Sequence, residues 1–198
     1  MTPIEFAAGL ADIMDVERTE IATVDRTLAK HGMRQLARGR YRPDITLQEG
    51  VQIVCTWAAA HNLTDAAAEV ERLKRFHANA VPPDEYELIK AKYKSFTIDL
   101  GDNDNQLYGR EFLWVVSWVA QKLGTTEFPA KDIWVSIEKA GTPQIIYRTG
   151  LTSERLGFID LGKIQLGQNA EIPENNVKTI TEFRGSVLKW IFDVTEGG

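Results

Sequence analysis

Seven cationic side chains fall between residues 18 and 42: Arg18, Arg26, Lys30, Arg34, Arg38, Arg40 and Arg42. Only Glu20 and Asp25 oppose them there. The same stretch holds Thr19, Thr23 and Thr27, spaced by four. Arginine and threonine reach base edges in a major groove, and lysine and threonine also hold phosphates. The preceding 17 residues carry four acids (Glu5, Asp12, Asp15, Glu17) and no base. Net charge over the whole chain is −5, so the positive charge is local. Screening at physiological salt cuts interactions beyond about 8 Å, and local field therefore outweighs the total where a surface meets phosphate.

Helices are needed to present these groups. Thr2-Pro3-Ile4-Glu5 has the make-up of a helix start, with a capping hydroxyl, a proline at the first helical position and an acid for a capping box. Phe6, Leu10, Ile13 and Met14 then form one apolar stripe, and Asp15-Val16 breaks the pattern as a turn. A second helix is predicted from about Arg18 to His31, stopped by Gly32. At 100° per residue, Ile21, Val24 and Leu28 fall on one side. Thr19, Thr23, Arg26 and Lys30 lie opposite, with Thr27 at the margin. That face suits a recognition helix, although an ordinary amphipathic surface helix would look the same. The residues behind it sharpen the reading. Met33–Leu36 and Tyr41–Ile45 are expected as two short strands around the turn Ala37-Arg38-Gly39-Arg40. The hairpin would be a basic wing able to lie along a backbone or enter a minor groove. Thr46-Leu47-Gln48-Glu49 is a second capping box. It opens a helix with Leu47, Val51, Val54, Cys55 and Ala58 on one face and Trp57 as a packing residue.

The run LADIMDVERTEIATVDRTLAKHGM…RGR…DITLQEGVQIVCTWAA resembles the winged helix-turn-helix of phage-type DNA-binding proteins, and the related fold of MerR-type regulators and phage small terminase subunits. The resemblance covers residues 4 to 60. It implies that Thr23 and Arg26 sit in the groove of double-stranded DNA and that Arg38 and Arg40 sit at the wing. Arg18, Thr19, Thr27, Lys30, Arg34 and Arg42 complete the expected contact set. Val16–Ile21 departs from the family by being longer than its tight turn, which sets Glu20 near the DNA side, where it would repel phosphate.

Beyond residue 60 the chemistry thins. A helix capped by Asn62–Asp65 is expected to turn Ala67, Val70 and Leu73 inward and to run to about Ala80, with a domain boundary at Pro82-Pro83. A charged helix over Asp84–Tyr93 follows, and its Lys90, Lys92 and Lys94 read as a solvated face. Asp102 and Asp104 resemble the opening of a calcium loop, but Leu107 and Leu113 occupy its glycine and glutamate positions, which excludes it. Leu107–Leu123 reads as a buried helix. Ile133–Glu138 and Gln144–Arg148 read as a hairpin, with further strands at Phe158–Leu161 and Lys163–Leu166. A last helix from Val177 or Thr181 to Val194 carries Val187, Leu188 and Ile191 inward.

The expected fold class is α+β: a winged helix-turn-helix domain over 1–80, then a small α+β domain with a short antiparallel sheet over 84–198. The single Cys55 excludes an internal disulfide, and His31, His61 and His77 have no metal-type pairing. No nucleotide or nucleophile motif occurs, and Glu138, Glu154 and Asp160 are not spaced as a catalytic set. No enzyme activity and no cofactor is expected. No apolar run spans a membrane and Met1–Gly9 has no signal-peptide pattern, so the cytoplasm is the expected location. The expectation is a sequence-specific duplex-DNA binder of phage or bacterial origin, acting as a homodimer in transcriptional regulation. The alternatives are recognition of a phage packaging or replication site, and a protein-interaction module without DNA binding. Residues 84–198 would serve oligomerisation or contact with a protein partner.

Overall fold

The first helix, α1 (Pro3–Met14), begins as its residues dictate. The Thr2 hydroxyl accepts from the Glu5 amide and the Glu5 carboxylate accepts from the Thr2 amide, closing a capping box. Asp15 ends the helix in the left-handed conformation at φ 54°. Helix α2 (Arg18–Lys30) follows, capped by His31, with Gly32 at φ +71° where a side chain would be strained. Ile21, Val24 and Leu28 are fully buried, as their spacing requires. In α1 the buried arc is Phe6, Ala7, Leu10 and Ala11. The two alanines draw that arc round, and Ile13 lies at its edge, 39% exposed rather than buried.

The computed structural model describes residues 1–35, 43–78, 107, 109–125, 129–139, 141–149, 152–160 and 179–197. The expected wing tip and the helix at 84–93 lie outside these residues, as does the strand at 163–166. The described ends of the wing, Met33–Gln35 and Pro43–Ile45, are in no strand.

Helix α3 (Leu47–Ala59) opens on the second capping box, Thr46 with Glu49. A short 3-10 turn at Leu63–Asp65 leads into α4 (Ala66–Lys74). The helix stops at Lys74 rather than near Ala80, and Ala66, not Ala67, joins Val70 and Leu73 inside. Phe76–Ala78 is an edge strand, β1. Its backbone pairs with a strand more than seventy residues ahead, Phe76 opposite Asp160 and Ala78 opposite Phe158. Local periodicity carries no trace of such a partner.

Helix α5 (Phe112–Thr125) starts five residues later than the apolar pattern suggests. Strands β2 (Ile133–Glu138), β3 (Pro143–Thr149) and β4 (Thr152–Asp160) form a meander, as expected for the hairpin. Ile180–Arg184, expected as the first turns of the last helix, is strand β5, antiparallel to β2. Helix α6 (Gly185–Thr195) follows directly. The sheet is antiparallel, in the order β1-β4-β3-β2-β5. The architecture is therefore helices with one small antiparallel sheet, an α+β fold.

One sheet face packs on helices. Ile133, Val135, Ile137, Ile145, Phe158 and Phe183 share a core with α3, α5 and α6. Phe112 of α5 meets Phe158 of β4 edge-to-face at 4.9 Å. The other face carries Trp134 between two guanidinium groups, Arg148 at 4.6 Å and Arg184 at 4.8 Å, with Arg148 also 3.2 Å from Glu182. Residues from both sides of the expected 1–80 and 84–198 division enter the same core. Helix α6 packs on α1, α3 and α5. Gly50 permits this convergence, since a Cβ there would lie 2.7 Å from Ile191 Cγ2 and 2.9 Å from Phe6 Cζ. Among the described residues, no helix is long and apolar enough to cross a membrane.

Candidate nucleic-acid interface

Helix α2 sets the geometry of the cationic face. Ile21, Val24 and Leu28 fix its inner side, which turns Arg18, Arg26 and Lys30 outward to solvent. None of these three makes a hydrogen bond or ion pair with another described residue. Their charges are therefore available to an external anion, without the desolvated partner that would have to be displaced first. Arg26 and Lys30 lie eight and twelve residues beyond Arg18, which places successive contacts along the helix rather than at one point.

The threonines occupy the same side but are partly committed. Thr23 Oγ1 donates to the Thr19 carbonyl at 2.6 Å, and Thr27 Oγ1 donates to the Thr23 carbonyl at 2.8 Å. Such bonds back to the preceding turn use the hydroxyl proton and leave the oxygen lone pairs. Thr23 and Thr27 can thus accept from a donor on a ligand, while Thr19 is exposed with its side chain unengaged by described residues.

Arg34 does not stand with the outward cations. Its Nε lies 2.6 Å from Asp25 Oδ1, its Nη2 donates to Asp25 Oδ2 at 3.3 Å and its Nη1 donates to the Gln35 carbonyl at 2.7 Å. The two side chains are only 9% and 14% exposed. Burial pushes the Asp25 carboxyl up, and the adjacent guanidinium only partly offsets that. Arg34 therefore ties the segment after α2 back onto the helix. Gln35 extends the tie, its amide donating to Glu49 Oε1 at 2.9 Å, and Gln52 Nε2 donates to the Met33 carbonyl at 3.2 Å. Arg38, Arg40 and Arg42 lie outside the described residues.

Glu20, expected near the DNA side, is engaged within the protein. Its carboxylate accepts from Trp57 Nε1 at 2.8 Å, linking α2 to α3. The acid is half-buried. Trp57 packs against the core, as its helical position suggested.

The structure adds a feature the sequence reading missed. Between the first turns of α1 and the flank of α2 runs an open groove of about 390 Å³. Its apolar walls are Pro3, Ile4 and Ala7 from α1 and Ala22 and Ala29 from α2. Arg18, Arg26 and Lys30 stand around it, with the Asp25–Arg34 pair beside them. The one available signal was Ile4, an apolar residue off the buried stripe, which is 59% exposed.

Cys55 is fully buried and its thiol is pushed far up by desolvation. Glu111, beside Lys74, His77 and Glu71, is raised by burial. Among the described residues no group of three histidine, cysteine or acidic side chains could hold a metal ion. No family model matches this chain, and no curated protein or solved structure is significantly similar to it.

Proposed function

We propose that this protein binds double-stranded DNA, with α2 as the groove-facing helix and the arginine-rich segment after it on the backbone. The observation that supports the reading is the exposed row Arg18, Arg26 and Lys30 on a helix whose opposite side is fully buried. An anchored helix with exposed cations and small hydroxyl-bearing residues along one face is what groove recognition requires. Arg18 and Lys30 act on phosphates. Arg26, between Thr23 and Thr27, is the side chain best set to read a base edge. Arg38, Arg40 and Arg42 add backbone contacts, and a two-fold pair of protomers supplies the affinity one small module lacks. The role within this class is regulation of transcription in a phage or bacterium, or recognition of a phage packaging or replication site.

Mobility-shift titrations at several salt concentrations test this. Every phosphate that a variant no longer neutralises reduces the slope of log K against log salt by about 0.9. Arg18→Gln with Lys30→Gln should lower affinity for all duplexes and flatten that slope by about 2. Arg26→Ala should instead change the preferred sequence recovered from a random duplex pool. Salt-independent binding, or variants that bind as the parent does, would remove the duplex from consideration.

A further inference from the structure

We infer that the groove between α1 and α2 is a binding site for a small amphipathic organic anion, a carboxylate or sulfonate carrying an apolar body. Two independent properties of the groove meet in that ligand. Its walls are aliphatic, and Ile4 presents to water a side chain that is 59% exposed. Its rim is cationic, with Arg18, Arg26 and Lys30 standing beside the Asp25–Arg34 pair. That acid, Asp25, is held at 2.6 Å by Arg34 and does not repel an incoming negative group. An inorganic ion would leave the walls wet, and a neutral apolar molecule would leave the cations unused. A volume of about 390 Å³ falls within the range of small-molecule pockets. The head group is placed between Arg26 and Lys30, and the tail runs along Ala22 towards Ile4 and Ala7.

The proposal stands independently of duplex binding, although Arg18, Arg26 and Lys30 serve both. Titration calorimetry with a series of straight-chain carboxylates, using the full chain, tests it. Wild type should bind decanoate saturably at one site per chain, with affinity rising about fourfold for each methylene from hexanoate to decanoate. Inorganic phosphate and octyl glucoside should each bind at least about tenfold more weakly than decanoate. Ile4→Gln should weaken decanoate about fivefold or more, leave the thermal midpoint unchanged because Ile4 is exposed, and leave duplex affinity unchanged. Arg26→Gln should weaken decanoate and duplex together. Absence of saturable binding overturns the proposal, as does a chain-length series with no trend, or an Ile4→Gln variant that binds as wild type. None of these outcomes touches the salt dependence of duplex binding, so the two readings fail separately.

Discussion

Gly50 is the point at which three helices of different sequence origin touch, and substituting it gives a prediction with a calculable sign. In an exposed helix interior, Gly→Ala stabilises by about 1 kcal/mol, because alanine loses less backbone entropy. In α3 the added Cβ would come within 2.7 Å of Ile191 Cγ2 and 2.9 Å of Phe6 Cζ. Those side chains are 0% and 1% exposed, so neither has room to withdraw. Overpacking a core costs about 1–3 kcal/mol, and contact on two sides places Gly50 near the upper end. The net expectation is a loss of about 2 kcal/mol, or about 4–8 °C in the melting midpoint for a chain of this size. Circular dichroism melts and urea titrations of Gly50→Ala measure it. Gly157→Ala is the control, since a Cβ there meets nothing within 4 Å, and it should be neutral or slightly stabilising. If steric conflict is the cause, Phe6→Leu should couple favourably with Gly50→Ala, the double variant being more stable than the sum of the singles by at least about 0.5 kcal/mol. A raised midpoint for Gly50→Ala, or strict additivity with Phe6→Leu, would refute the reasoning.

Three further outcomes follow from the same geometry. Arg34→Met leaves the Asp25 carboxylate without its cation in a mostly buried setting, and should cost about 2–4 kcal/mol in urea unfolding while changing the salt slope of duplex binding little. Two carboxylates should give opposite pH signatures. Glu5 is lowered by its bonds to Thr2, so the stability it adds is complete above its unfolded value and lost as pH falls through the folded one. Asp25 is raised by burial, so its contribution is complete below its unfolded value near 4 and lost as pH rises through the folded one. Comparing pH–stability curves of wild type with Glu5→Gln and Asp25→Asn reads both signs. Cys55, buried and with its thiol pushed up, should resist alkylation in the native protein and react only on unfolding, which mass spectrometry during a denaturant titration reports.

Short-range chemistry was legible in the residues. Both capping boxes, the Gly32 stop and the inner faces of α2 and α3 are local, and each stands where its side chains require. What was misread depends on partners distant in sequence. Phe76-His77-Ala78 continues a helical pattern by itself, and becomes a strand because β4 supplies its hydrogen bonds. Ile180–Arg184 buries only Phe183, so its alternation is too faint to compete with the helix that follows. The candidate site divides in the same way. The outward cations of α2 follow from its period. The capture of Arg34 by Asp25, and of Glu20 by Trp57, depends on how the segments after α2 return to it. The groove was invisible because half of it comes from α1, whose contribution is a residue outside the apolar stripe.

The sheet takes its two borders from opposite parts of the chain, β1 from residues 76–78 and β5 from residues 180–184, and α6 then lies across α1 and α3. During synthesis the early helices must therefore wait, with the surfaces around Phe6 and Gly50 uncovered, until about a hundred and thirty further residues have emerged and α6 can be laid down. A ribosome-stalled intermediate lacking residues 185–195 should be a chaperone client, whereas the released chain should not.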